Sequence, residues 1–270
     1  MKSIHLIPLF LILLIACNPG TNKKGTTEPQ KSETTETEEW IQLFNGKDLE
    51  GWTIKINKYP IHENFNNTFR VENGLMVTRY DEYEQFDAEF GHIFYNTPYS
   101  HYKLRVEYRV VGEQVPGGAG WALRNSGVMF HAQSPESMGV DQPFPVSLEA
   151  QFLGGGEEGD RPTGNLCTPG TNVVIGGELV TQHCIPSTSP TFRGEEWITF
   201  ELVAYGDSII YHLVNGDTVL TYSAPVIGGG SKPDDYSIAD GTPVKGGYIA
   251  LQAESHPYEF RKVELLDLSK

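Results

Sequence analysis

The chain has 270 residues and a formal net charge of −15, and 39% of its residues are hydrophobic. This length is enough for one large all-β domain or two small ones. The acidic charge, with no basic cluster in the body of the chain, excludes nucleic acid and anionic membrane faces as expected partners.

The N-terminus has the pattern of a secretory signal. Lys2 precedes a largely apolar run, residues 3–16, which is short for a membrane span. The run ends in Leu14-Ile15-Ala16-Cys17, which resembles a bacterial lipobox. We therefore expect residues 1–16 to be removed and Cys17 to carry lipid. The protein would then be anchored in the cell envelope, at the outer membrane. The alternative is an ordinary signal peptide with an incidental cysteine.

Residues 17–39 are expected to form a lipidated cysteine followed by a flexible linker. From residue 18 onward the segment contains no Leu, Ile, Val or aromatic residue. Such a composition cannot bury enough apolar surface to offset the entropy lost on ordering. We therefore expect a tether in front of a single folded domain, residues 40–270.

From Trp40 onward the pattern is β throughout, without a convincing helical period. Turn residues separate alternating runs, for example Asn73-Gly74 and Asn215-Gly216, which suit tight hairpins. The pattern predicts an all-β sandwich or barrel. The twelve predicted strands are 52–56, 69–72, 75–78, 90–95, 102–111, 126–132, 146–153, 197–205, 208–214, 218–222, 248–253 and 260–268.

The stretch Trp121 to Gly156 is the best candidate for a functional site. In a strand at 126–132, Gly127, Met129 and His131 would share one face. In the strand at 146–153, Glu149 and Gln151 share a polar face, while the opposite face is apolar. A half-buried strand with an acid and an amide side by side is unusual for packing alone, so we interpret this face as the floor of a site.

Residues 154–195 are rich in Gly, Pro and Thr and are expected to form a long loop. They contain Cys167 and Cys184, the only cysteines left once Cys17 is assigned to the lipobox. In an exported protein this pair predicts a disulfide, stabilising by roughly 3 kcal/mol. A zinc site using His183 is the alternative, but the spacing matches no standard zinc pattern.

Several motifs together resemble the bacterial 3-keto-disaccharide hydrolase family, whose members are also described as 3-keto-glucoside lyases and hydratases. The resemblance covers residues 40–268. It implies a concanavalin A-like jelly roll of two antiparallel sheets and an enzyme that acts on 3-keto-glycosides. The motifs are Leu43-Phe44-Asn45-Gly46-Lys47-Asp48-Leu49-Glu50-Gly51-Trp52, Phe90-Gly91-His92-Ile93-Phe94-Tyr95, Arg124-Asn125-Ser126-Gly127-Val128, Leu148-Glu149-Ala150-Gln151, and Leu251-Gln252-Ala253-Glu254-Ser255-His256-Pro257.

The implied reaction needs three kinds of group. A ketone at C3 of a sugar acidifies the hydrogen at C2; a base removes it, an enolate forms, the C1 oxygen leaves, and water adds back. We expect Glu149 to be the base and His131 to exchange a proton near neutral pH. Arg124 would hold the enolate oxygen, or else serve as loop scaffolding beside Asp141.

The remaining site candidates bind sugar or complete the catalytic set. Amide side chains suit sugar hydroxyls, and an indole can stack on a sugar face. The predicted sugar-binding residues are Arg124, Asn125, Gln151, Gln252, His92, His256 and Trp121. Glu254 joins Glu149 and His131 in the predicted catalytic set. The same three side chains are also the candidate ligands for a possible divalent metal.

Two other functions stay open. The same sandwich serves lectins, so the chain could be a non-catalytic carbohydrate-binding lipoprotein. It could also be an ordinary glycosidase in which Glu149 and Glu254 flank the bond.

Overall fold

A computed structural model of the protein describes residues 38–269. No helix in that range is long and apolar enough to cross a membrane. The predicted signal segment, Cys17 and nearly all of the predicted linker lie outside the described residues. The strands, in chain order, are β1 (Ile41–Gln42), β2 (Trp52–Ile56), β3 (Phe69–Glu72), β4 (Leu75–Thr78), β5 (Gly91–Tyr99), β6 (His101–Val110), β7 (Asn125–Ala132), β8 (Leu148–Leu153), β9 (Asn165–Cys167), β10 (Thr171–Ile175), β11 (Glu178–Val180), β12 (Cys184–Ile185), β13 (Ile198–Tyr205), β14 (Ile210–Val214), β15 (Asp217–Ile227), β16 (Gly247–Ala253) and β17 (Tyr258–Asp267).

The strands form two sheets in which every pair is antiparallel. The ten-stranded sheet has the order β11-β10-β15-β14-β13-β6-β17-β4-β3, with β1 added beside β17. The seven-stranded sheet has the order β12-β9-β8-β7-β16-β5-β2. The helical elements within residues 38–269 are single 3₁₀ turns, at Phe65–Asn67, Gly120–Ala122 and Pro135–Ser137. The predicted fold, a two-sheet antiparallel sandwich, is confirmed.

One hydrophobic core fills the space between the sheets. Alternation along each strand sends every second side chain into it. From the seven-stranded sheet the contributors include Ile93, Val128, Phe152 and Leu251, all buried. The ten-stranded sheet contributes residues such as Tyr108, whose ring stacks on the Phe152 ring with centroids 4.0 Å apart. Burial of this apolar surface is the main stabilising contribution to the fold.

The twelve predicted strands match observed ones closely, but β1 was not predicted, and the region 154–195 differs. There the prediction of a strandless loop is wrong, because the segment contains β9 to β12. Each of these strands has only two to five residues, too few for a period-2 pattern to stand out. β9 and β12 pair so that Cys167 faces Cys184, and the predicted disulfide is confirmed.

Candidate active site

The face of the seven-stranded sheet that points away from the core carries the polar residues; we call it the site face. On β8, Leu148, Ala150 and Phe152 belong to the core, so Glu149 and Gln151 point the other way. The same alternation places Gln252 of β16 on the site face. The prediction that Glu149 and Gln151 share a face opposite the apolar residues therefore agrees with the structure.

A pocket of about 380 Å³ opens on the site face. Both carboxylates of interest, Glu149 and Glu254, line it. The polar residues Asn125 and Gln151 and the indole of Trp121 complete the part that sequence reasoning expected. The other lining residues are Phe144, Cys167, Pro169, His183, Cys184 and Ser231. The pocket therefore brings together five of the predicted site residues.

The two carboxyl groups share an environment that favours their protonated, neutral form. Burial raises the pKa of Glu149 to about 8. Burial raises the pKa of Glu254 further, and the nearby charge of Glu149 adds to the shift, while Arg161 opposes it. Two like charges in one dry site cannot both be ionised at little cost. At neutral pH the pair therefore keeps at least one proton.

A third glutamate, Glu259 on the ten-stranded sheet, shows what neighbouring cations do to a carboxyl group. Burial would raise its pKa, but hydrogen bonds and charge from Arg109 and Arg79 bring the net pKa below the ordinary value. The Arg79 contact measures 2.5 Å and the Arg109 contact 2.6 Å. Glu149 has no such cation beside it, so its proton affinity stays high.

Gly127 makes room for the Glu149 carboxyl group. It lies on the neighbouring strand β7, opposite Gln151. A Cβ atom placed at Gly127 would lie 2.9 Å from Glu149 Oε1 and 3.0 Å from the backbone oxygen of Ala150. The Glu149 side chain therefore leans toward Gly127, which has no side chain to obstruct it.

Beyond Gly127 a polar row continues across the site face. Gln252 pairs with His92 of β5, and His92 pairs with Lys55 of β2. Gln252 and His92 are fully buried, and neither the amide atoms nor the ring nitrogens have a hydrogen-bond partner in the described structure. Lys55 Nζ donates to the backbone oxygens of Ile56 and Val140 at 2.9 Å each.

Aromatic rings form the rim above this row. The Phe144 ring packs edge-on against His92, with centroids 5.9 Å apart. Phe90 contacts Phe144 at 5.0 Å and stacks on Trp121 at 5.7 Å. Trp121 is 56% exposed, which suits an indole that stacks on a sugar ring. Phe144 thus covers His92 while Trp121 remains free to meet a ligand.

His131 does not join the pocket, so its expected position beside Glu149 is wrong. The β7–β16 register shifts between Tyr248 and Ala250, and His131 has φ 47°. This β-bulge turns the imidazole toward the core, where its ring lies 5.8 Å from Tyr102. Burial lowers its pKa to about 4, so it is neutral at physiological pH.

The candidate metal ligands are not assembled. Glu149 and Glu254 line the pocket, but His131 faces the other side of the sheet. Within residues 38–269, no group of three or more His, Cys, Asp or Glu side chains is placed to hold a metal ion. This trio therefore does not fit a metal site.

Arg124 and His256 do not line the pocket. Arg124 Nη2 donates to the backbone oxygens of Gly194 at 2.7 Å and Arg193 at 3.2 Å. The scaffolding alternative for Arg124 therefore describes the structure, although backbone carbonyls replace the expected Asp141. Burial lowers the pKa of His256 to about 4, and the positive charge of Arg124 adds to the shift.

Sequence reasoning missed four residues that shape the site: Arg161, Phe144, His183 and Lys55. Arg161 donates to the backbone oxygen of Gly154 at 2.6 Å, and its positive charge lowers the pKa of Glu254, against the effect of burial. Arg161 and His183 come from the region read as a strandless loop, and Phe144 from the connection before β8. Lys55 had a readable signal, since it is a charged residue inside the apolar strand Trp52–Ile56.

The chain was also compared with known proteins. None of the curated proteins matches it. Two crystal structures from Parabacteroides distasonis ATCC 8503, each described as a candidate glycosyl hydrolase, share the fold. The first has a TM-score of 0.55 at 21% identity, covering 86% of this chain and 95% of its own. The second has a TM-score of 0.50 at 17% identity, covering 85% of this chain and 100% of its own. At these identities the likeness establishes the fold alone.

A family model extends over most of the described residues. The model of the 3-keto-alpha-glucoside-1,2-lyase-like domain matches residues 39–266. This agrees with the family resemblance inferred from the sequence motifs. The chain therefore belongs to the 3-keto-alpha-glucoside-1,2-lyase-like family of carbohydrate-active proteins.

Proposed function

We propose that the protein cleaves 3-keto-glycosides by removing the C2 proton, eliminating the C1 substituent and adding water. The observation that carries the proposal is that the buried carboxyl groups of Glu149 and Glu254 line one pocket. Within residues 38–269, no arginine pairs with Glu149 to lower its pKa. Elimination needs a base and an acid at the same time. A pair of carboxyl groups that shares protons supplies both.

The two carboxyl groups take different roles. We assign Glu149 as the base that accepts the C2 proton, because its carboxyl group leans toward Gly127 on the neighbouring strand β7. Glu254, in the same pocket, delivers a proton to the departing C1 oxygen. A base works best when its pKa lies near the operating pH, which a value of about 8 satisfies.

The pocket supports sugar binding through its remaining residues. Asn125 and Gln151 offer both donors and acceptors for hydroxyl groups. Trp121 supplies an exposed aromatic face. The pocket volume of about 380 Å³ holds a sugar ring and part of the leaving group.

Incubation with a 3-keto-disaccharide and with its unoxidised parent tests the proposal. We expect cleavage of the keto sugar only, because the C2 hydrogen of the parent is not acidic. Cleavage of the parent would indicate an ordinary two-carboxylate glycosidase. Binding of either sugar without cleavage would indicate a carbohydrate-binding protein. Either result would overturn the proposed elimination.

We also propose that the protein acts while anchored to the cell envelope, at the outer membrane, through lipid on Cys17. The support is the Leu14-Ile15-Ala16-Cys17 sequence and the polar segment that follows it. Replacement Cys17→Ser should move the protein from the membrane fraction to the soluble fraction. A Cys17→Ser protein that stays membrane-bound and lipid-labelled would contradict this anchor.

A further inference from the structure

The proposed elimination needs hydrogen-bond donors for the oxygen at C3, where negative charge collects after the proton leaves C2. Arg124 was the expected donor, but its guanidinium group is directed to the backbone oxygens of residues 193 and 194. The donor for the enolate oxygen must therefore come from elsewhere on the site face.

Gln252 and His92 do not line the pocket itself, but they have unused hydrogen-bonding atoms on the same face of the sheet. Both side chains are 0% exposed, and the two Gln252 amide atoms and the two His92 ring nitrogens have no partner in the described structure. Buried polar atoms without partners are rare, because each one destabilises the fold. Four of them on directly paired residues indicate a surface kept ready for a ligand.

The pair lies next to the proposed base. Glu149 leans toward Gly127, and the register that matches Leu251 with Val128 places Gln252 beside Gly127. Neighbouring strands are about 4.8 Å apart. A base on one strand and a donor on the next therefore suit a C2 hydrogen and a C3 oxygen, which belong to adjacent carbon atoms.

We infer that Gln252 and His92 form the donor pair that stabilises the enolate oxygen, and that the sugar reaches them by displacing the Phe144 ring. When Glu149 takes the C2 proton, the electrons of the C–H bond form the C2–C3 double bond, and the carbonyl π electrons move to the C3 oxygen. The N–H groups of Gln252 and His92 hydrogen-bond that oxygen. The carbonyl then re-forms, the C2–C3 π electrons shift to make a C1–C2 double bond, the C1–O bond breaks with its electrons on the leaving oxygen, and Glu254 protonates that oxygen. This inference rests on the proposed function.

Lys55 keeps His92 in the form that this role requires. Burial lowers the pKa of His92 to about 3, and the positive charge of Lys55 adds to the shift. The ring is therefore neutral, so it offers one N–H donor and has no second, acidic N–H proton to lose. The buried ammonium group of Lys55, 2% exposed, also favours negative charge at the far end of the row.

The test uses replacements that remove the polar atoms and keep the volume. His92→Phe and Gln252→Met leave no unpaired polar group behind, so we expect both to melt at or above the wild-type temperature. Exchange of the C2 proton of a 3-keto-α-glucoside in D₂O should fall by roughly a hundredfold or more in each. The loss should appear in kcat more than in KM. His92→Gln restores a donor and should recover part of the rate.

His101→Phe is the matched control, since this histidine is exposed at the start of β6. It should exchange the C2 proton at the wild-type rate. If wild type is active and either His92→Phe or Gln252→Met stays within about threefold of it, the inference is overturned. If wild type itself neither exchanges nor cleaves the keto sugar, the proposed function fails, and the inference fails with it.

Discussion

Replacing Glu149 by glutamine should remove activity and raise stability. In the folded protein its pKa is raised from 4.5 to about 8. Because the folded value lies above the unfolded one, ionisation opposes folding. The favourable contribution of the protonated Glu149 carboxyl group to stability is complete below pH 4.5, and it is lost as pH rises through 8. One pKa unit corresponds to about 1.4 kcal/mol, so ionisation lowers the free energy of unfolding by about 3 kcal/mol at pH 7.

Glutamine keeps the shape and cannot ionise, so Glu149→Gln should recover most of that energy. For a domain of this size, 1 kcal/mol corresponds to about 2–4 °C. The melting temperature of Glu149→Gln should therefore exceed wild type by roughly 6–12 °C at pH 7, with almost no difference at pH 4.5. Thermal melts followed by circular dichroism at pH 4.5, 7 and 8.5 measure this. Glu178→Gln, on an exposed carboxylate, is the control and should match wild type throughout. A Glu149→Gln melting temperature at or below wild type at pH 7 would refute the reasoning.

Three further predictions follow from neighbouring features. Gly127→Ala should lower activity by at least tenfold, because the added Cβ atom would push the Glu149 carboxyl group aside. Gly156→Ala is the control and should be neutral, because the space around Gly156 is open. Equal rates for the two variants would contradict this prediction. Breaking the Cys167–Cys184 bridge by a double Ser replacement should destabilise by about 3 kcal/mol in urea melts, and an unchanged midpoint would contradict it. The free energy of unfolding should fall from pH 6.5 toward pH 4, because four buried histidines have pKa values of only about 3 to 4 and must stay neutral in the folded protein. Each histidine lowers this free energy by up to about 1.4 kcal/mol per pH unit as pH falls, and the two glutamates have the opposite, smaller effect. Urea melts at pH 6, 5.5 and 5 measure this, and an unchanged midpoint across this range would contradict it. These histidines are His92, His131, His212 and His256.

The sandwich was predictable because its long strands alternate. The period-2 pattern on β8 places Glu149 and Gln151 opposite Leu148 and Ala150, and the structure has the same arrangement. The disulfide was predictable because the N-terminal pattern predicts export and only two cysteines lie in the predicted folded domain. The short strands β9 to β12 could not be predicted, because runs of two to five residues carry too little periodicity.

The position of His131 could not be read from strand alternation. One extra residue in β7 reverses which face the following side chains occupy, and a bulge leaves no reliable mark in a single sequence. Arg124 failed as a site residue for a related reason, since its φ of 50° turns it out of the strand pattern. Covering residues such as Phe144 depend on where a long connection folds back, which is a tertiary contact and not a local preference.

The division of roles between Glu149 and Glu254 is the central claim, and solvent deuterium incorporation at C2 tests it most directly. The keto-disaccharide is incubated in D₂O with wild type, Glu149→Gln and Glu254→Gln, and both C2 labelling and cleavage are followed by NMR. We predict that Glu149→Gln loses labelling and cleavage together, by about a hundredfold to ten-thousandfold. Glu254→Gln should keep labelling the sugar while cleavage falls. Normal labelling by Glu149→Gln, with labelling abolished in Glu254→Gln, would contradict the account.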